Sequence, residues 1–136
     1  MKVYIAASSA PSERVRVDAA FAGCQAGGIE VVGDWRESVD HFGSNPPGAA
    51  GAEVARVDVA AIGRADVLWL IVPHKGGCGC FVELGFALAF GDLRGLPIAI
   101  SSGPVATIFQ HLCYKRFDFD LDALRYLVER KDLVSP

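Results

Sequence analysis

Val67-Leu68-Trp69-Leu70-Ile71-Val72, followed at once by Pro73-His74-Lys75-Gly76-Gly77-Cys78-Gly79-Cys80-Phe81-Val82-Glu83-Leu84-Gly85-Phe86-Ala87, is the stretch that decides the fold. Six consecutive apolar residues ending at a proline read as a strand buried on both faces. The glycine-rich turn interrupts that strand, and residues 81–90 read as a helix. A strand, a glycine turn and a helix start bring backbone N–H groups together on a ligand. Such a place usually serves an anion, so Glu83, flanked by apolar residues, needs its own explanation. Either it caps the helix electrostatically, or it is aimed into the crevice as a reactive group.

The pattern on either side alternates strand and helix. Residues 3–7 read as a strand, Ser8-Ser9-Ala10-Pro11-Ser12 as a turn with helix-capping chemistry, and 13–26 as a helix ended by Gly27-Gly28. A second strand over 29–32 runs out into Gly33-Asp34-Trp35-Arg36. Residues 37–51, with two prolines and three glycines, read as a long loop that could act as a lid. A helix over 54–62 carries Asp58, and a third strand spans 65–72. The helix after the glycine turn ends near Gly91, a fourth strand covers 97–100, and Ser101-Ser102-Gly103-Pro104 turns into a helix over 105–112. A short strand over 116–119 and a helix over 120–130, capped by Asp120, complete the chain.

Alternating elements of this kind imply a parallel sheet covered on both faces by right-handed crossovers. Five strands fit a flavodoxin-like, Rossmann-like α/β three-layer sandwich in the order 2-1-3-4-5, as a single domain over 1–136. Ligands then bind at the carboxyl ends of the strands, at the switch point between strands 1 and 3. The loops gathered there begin at Ala7, Gly33, Pro73 and Ser101, and the unusual residues lie on or beside them.

The bulk composition narrows the classes. With 136 residues, about half of them apolar (51%) and a net charge of −3, the chain has no excess of positive charge for nucleic acid or a membrane surface. No apolar run approaches the roughly 18 residues of a membrane span. Met1-Lys2-Val3-Tyr4 opens directly into a strand, so a cytoplasmic protein without a leader is expected. Four cysteines, Cys24, Cys78, Cys80 and Cys113, do not suggest a disulfide framework in a chain this apolar. Cys78 and Cys80 with His74 fall short of the four ligands of a structural zinc site; no metal or cofactor is expected.

Four segments together resemble the nucleoside 2-deoxyribosyltransferase family and the related 2'-deoxynucleoside 5'-monophosphate N-hydrolases. They are Lys2-Val3-Tyr4-Ile5-Ala6, Asp34-Trp35-Arg36, Asp58-Val59-Ala60-Ala61-Ile62 leading to Ala65-Asp66-Val67, and Glu83-Leu84-Gly85-Phe86-Ala87 after the glycine turn. The resemblance runs from Val3 to about Leu127, and its specificity lies in the order and spacing of the segments. It implies that Glu83 is a nucleophile toward C1' of a sugar, that Asp58 exchanges a proton with the base or orients it, and that Tyr4 holds the carboxylate in line. Where deoxyribosyltransferases often carry an acid and the hydrolases tend to carry a serine, this chain has Gly76-Gly77-Cys78.

These residue types suit the reaction. Breaking an N-glycosidic bond builds oxocarbenium character that a carboxylate can trap, and the leaving base needs a proton from a second acid. Each residue also has an ordinary structural use: Glu83 as a first-turn acid, Asp58 on the polar face of its helix, Tyr4 as core with its hydroxyl satisfied. Asp66 reads as a strand-start cap, His74 as solvent-exposed, and Trp35 as either a base-side or a loop-packing aromatic. Gly77 and Gly79 are expected to approach the substrate through their backbone. Ser8, with Ser9, Ser12, Arg14 and Arg16 nearby, could hold a 5'-phosphate, as could Ser102; N-capping is the competing use of the serines.

The leading expectation is therefore an enzyme that cleaves or transfers the N-glycosidic bond of a nucleoside or nucleoside 5'-monophosphate. A non-catalytic nucleotide-sensing module and an NAD-type glycohydrolase are the alternatives. The helices over 81–90 and 105–112 carry more apolar residues than solvent-facing surfaces need, so a homodimer is expected.

Overall fold

The computed structural model describes residues 1–133. Its frame is a parallel sheet of β1 (Lys2–Ala6), β2 (Glu30–Val31), β3 (Val67–Ile71), β4 (Ile98–Ser102) and β5 (Lys115–Phe117), in the spatial order β2-β1-β3-β4-β5. The helices are α1 (Arg14–Ala26), α2 (Arg36–Phe42), α3 (Gly48–Ile62), α4 (Cys78–Arg94) and α5 (Asp120–Glu129). This is the α/β order expected from the alternation of elements. Every residue of β3 is buried, because a central parallel strand is covered on both faces. Its register against β1 runs from Val3–Val67 to Ala6–Leu70, so the carboxyl ends of the two strands open side by side. Asp66 accepts a hydrogen bond from the Lys2 backbone N–H at 2.6 Å, a structural tie at the opposite end.

Two expectations need correction. Residues 37–51 are not a long loop: α2 and the first turn of α3 occupy most of them, leaving only 43–47 irregular. Pro47 stands extended just ahead of α3, where proline is compatible with a helix start. Gly51 is no helix breaker either, since a Cβ there would lie 2.2 Å from the Pro46 carbonyl oxygen. Glycine is present to let the chain pass close.

The segment 105–112 is not an α-helix; only a 3-10 turn over Ile108–Leu112 forms. The cause is Gln110, whose buried side-chain oxygen accepts from the N–H groups of Ala106 (2.7 Å) and Thr107 (3.1 Å). That side chain ties the segment into a tight turn. Conversely, α4 runs past Gly91 to Arg94. A Cβ at Gly91 would meet the Pro97 oxygen at 2.9 Å, so that glycine serves close packing rather than termination. Gly95, at φ +80°, is the real stop. Among the described residues, no helix is long and apolar enough to cross a membrane.

Candidate active site

The loop leaving the carboxyl end of β1, the start of α4 and the α2–α3 segment enclose a cavity of about 170 Å³. Tyr4, in the middle of β1, is fully buried, and its hydroxyl donates to Glu83 Oε1 at 2.7 Å. Glu83 and Asp58 both line the cavity. Because α4 starts at Cys78, Glu83 lies in its second turn, and no acid occupies the first. The favourable field of a helix start fades beyond the first turn, so the capping explanation of Glu83 loses its basis.

The electrostatics follow from enclosure. Burial pushes the Glu83 carboxyl up to about 8; the Tyr4 hydrogen bond opposes that shift and the Asp58 charge adds to it. Burial alone pushes Asp58 up to about 6. Burial, together with the negative charges of Glu83 and Asp58, raises Tyr4 far above the usual phenol range, so it remains a donor. Two carboxyl groups are thus held near neutrality in one cavity, one of them oriented by a phenol that cannot ionise. Such a pair can share acid and base work at neutral pH.

Trp35 is nearly buried and also lines the cavity, its indole N–H donating to the Ile5 carbonyl at 2.8 Å and its ring meeting Phe21 edge-on. It therefore packs the loop and faces the cavity at once. Ser8, Gly77 and Gly79 line it too, and they continue into a second recess of about 400 Å³ shared with Ser9, Ser44 and Asn45. Gly77 stands at φ +82°, and a Cβ there would come within 2.8 Å of the Ser8 Cβ. The turn closes over Ser8 only because this residue is glycine. The first N–H groups of α4 begin at this point and lack intrahelical partners.

Ser102 is not part of this constellation. It is fully buried, accepts from the Trp69 indole N–H at 2.9 Å and donates to Asp120. Asp120 is correspondingly no helix cap: it makes no capping hydrogen bond, and Arg16 and Ser102 occupy its carboxylate. Arg14 and Arg16 do not reach the recess as phosphate ligands, since Arg14 is paired with Asp18 and Asp40, and Arg16 with Glu13 and Asp120. Ser38, Val39 and Val54 line the cavity without having been singled out. The glycines and prolines of 43–51 hide α2, which carries Ser38 and Val39, whereas Val54 lies on the helix expected over 54–62. Among the described residues, no three His, Cys, Asp or Glu side chains are grouped as metal ligands.

Among solved structures, this fold is similar to that of the Clostridium botulinum CMP N-glycosidase BcmB. The TM-score is 0.58 at 16% identity, over 93% of this chain and 98% of that one. At that identity the likeness is one of fold. No protein-family model matches the chain, and no match is found among curated proteins.

Proposed function

We propose that this protein cleaves the N-glycosidic bond of a nucleoside 5'-monophosphate, with Glu83 as nucleophile and Asp58 as the acid and base on the side of the leaving base. The observation that carries this reading is the Tyr4–Glu83 hydrogen bond beside Asp58 in a single cavity. A carboxylate fixed by a buried phenol has one oxygen committed to the phenol and the other available for attack. The fold shared with a protein described as a CMP N-glycosidase supports the same reaction class.

Between about pH 6 and 8 the pair's one proton rests mainly on Glu83. The reaction draws on the minor arrangement with that proton on Asp58: ionised Glu83 attacks C1', the C1'–N bond breaks, and its electron pair leaves with the base. Protonated Asp58 supplies the proton that the base requires. Water, activated by the resulting Asp58 carboxylate, then attacks C1' of the glycosyl ester and releases Glu83; a second base in place of water would give transfer instead. The adjoining recess supports a 5'-phosphate on the substrate. Ser8, Ser9, Ser44 and the N–H groups at the start of α4 offer donors there.

The test is chromatographic. The protein and its Glu83→Ala variant are incubated with ribo- and deoxyribonucleosides and their 5'-monophosphates, with and without an acceptor base. Base release from the monophosphates that vanishes in the variant is expected. Nucleotide binding with no release by the unaltered protein would refute the proposal and leave a sensing module.

A further inference from the structure

α2 contains no fully buried residue, yet it walls the cavity through Ser38 and Val39. A helix of two turns does not hold itself together in water, and this one lacks the buried apolar face that usually docks a helix. Val39 alone packs against the core from it, and the rest of its attachment is ionic. Arg14, in the first turn of α1, donates from Nη1 to Asp40 Oδ1 at 2.7 Å and from Nη2 to Asp40 Oδ2 at 3.1 Å, fork against carboxylate. The same guanidinium donates from Nε to Asp18 Oδ1 at 2.9 Å. Arg36 returns the connection from α2, donating from Nη1 to Asp18 at 2.9 Å and from Nε to Asp34 at 2.8 Å, with its guanidinium 3.7 Å from the centre of the Phe21 ring.

Two arginines and three aspartates therefore cross from α1 to α2 twice. An isolated exposed pair contributes little, but these charges share partners, and one pair is bidentate. Beside them stand the Val39 side chain against the core, the Trp35 indole at the front of α2 and a longer contact from Ser44 to the Ser9 carbonyl at its back.

We propose that Arg14 and Asp40 are positioning residues that hold α2 as the closed wall over the base end of the cavity, with Asp18 and Arg36 completing the clamp. The proposal rests on the nucleotide-cleaving function, because it gives the wall its task. A loosened wall costs contacts that substrate and transition state share, which raises KM and spares kcat. Because the pairs are partly exposed, salt screens them, so closure weakens as ionic strength rises.

The experiment uses the full chain and its Asp40→Asn and Asp40→Glu variants. Steady-state kinetics are recorded with nucleoside 5'-monophosphates at low and high sodium chloride, and amide hydrogen exchange is recorded without substrate. Asp40→Asn is expected to raise KM about three- to tenfold at low salt, the range of a partly exposed bidentate pair in a network. Its kcat should change by less than about twofold, and exchange should quicken in α2 but not in β1. Asp40→Glu, which keeps the fork partner, should restore most of both, and the KM of the unaltered protein should climb with salt toward that of Asp40→Asn. An Asp40→Asn variant with unchanged KM, or with a loss confined to kcat, overturns the clamp. If the unaltered protein cleaves none of the substrates, the proposed function fails, and exchange alone decides: unchanged protection of α2 in Asp40→Asn still refutes the clamp, while selective loss supports it.

Discussion

The Tyr4 hydroxyl, rooted in β1, reaches Glu83 Oε1 on α4 at 2.7 Å and joins two residues 79 positions apart. A donor to a charged acceptor in an enclosed site is worth about 1.5–3 kcal/mol, or about ten- to a hundredfold in rate if it acts in the transition state. Tyr4→Phe keeps the ring and removes only the donor. The expected result is a kcat/KM lowered by about one to two orders of magnitude, with the fold intact by circular dichroism. The Tyr4 hydrogen bond also lowers the Glu83 pKa, so the limb of the pH profile that reports Glu83 should move upward in the variant. A lower rate with no movement of that limb would separate Tyr4 from Glu83.

The two acids predict a bell-shaped pH profile. They titrate near about 6 and about 8, and the productive form carries one proton between them. The kcat/KM of the free enzyme should therefore peak between these values and fall on both sides, the limbs belonging to the pair rather than to either residue. Asp58→Asn removes the alkaline limb, because the remaining requirement is an ionised Glu83. It also removes the charge that helps to raise Glu83, so the remaining limb should lie below about 8. A rate that stays flat from pH 5 to 9 would be incompatible with a shared proton, within the roughly one-unit tenfold slope expected of a titrating group.

Stability should follow the same groups with a definite sign. Glu83 rises from 4.5 to about 8 on folding, and Asp58 from 3.8 to about 6. Through those windows the folded state binds more protons than the unfolded state, so stability is lost as pH rises. The contribution is fully present below the unfolded values and gone above the folded ones. Glu83→Gln, neutral at every pH, should remove most of the decline between about pH 5 and 8 in denaturant titrations. A decline that persists unchanged would place its source elsewhere.

The fold was legible because its signals are local: the continuous apolar run of β3, and glycines that end helices or open turns. Glu83, Asp58 and Tyr4 could be singled out because an acid or a phenol amid apolar neighbours is conspicuous. The errors share one cause, a residue whose use depends on a distant neighbour. Gly51 and Gly91 read as breakers, yet each accommodates a backbone oxygen that sequence does not bring near. Ser102 and Arg16 read as phosphate ligands until Asp120, supplied by α5, claims both. The capture of Arg14 by Asp40 is of the same kind and required α2 to be recognised first.

The outer face of α4 leads to a prediction about assembly. From Phe81 to Gly91 its only ionisable side chain is Glu83, which faces the cavity, while Val82, Phe86 and Leu93 are exposed. A helix apolar on nearly every side is ordinarily covered. The stripe is complementary to itself about a two-fold axis between Ala87 and Leu88: Val82 then faces Leu93 of a second copy, Gly85 faces Phe90, and Phe86 faces Ala89, large against small. Gly85 has open space where a Cβ would stand, room for an aromatic ring. Antiparallel α4 helices would also oppose their dipoles favourably. Sedimentation of the protein is expected to give a homodimer, and Phe86→Glu, which sets a charge at the centre of the stripe, a monomer with its secondary structure retained. A monomeric unaltered protein, or a Phe86→Glu dimer of undiminished affinity, would remove α4 as the interface.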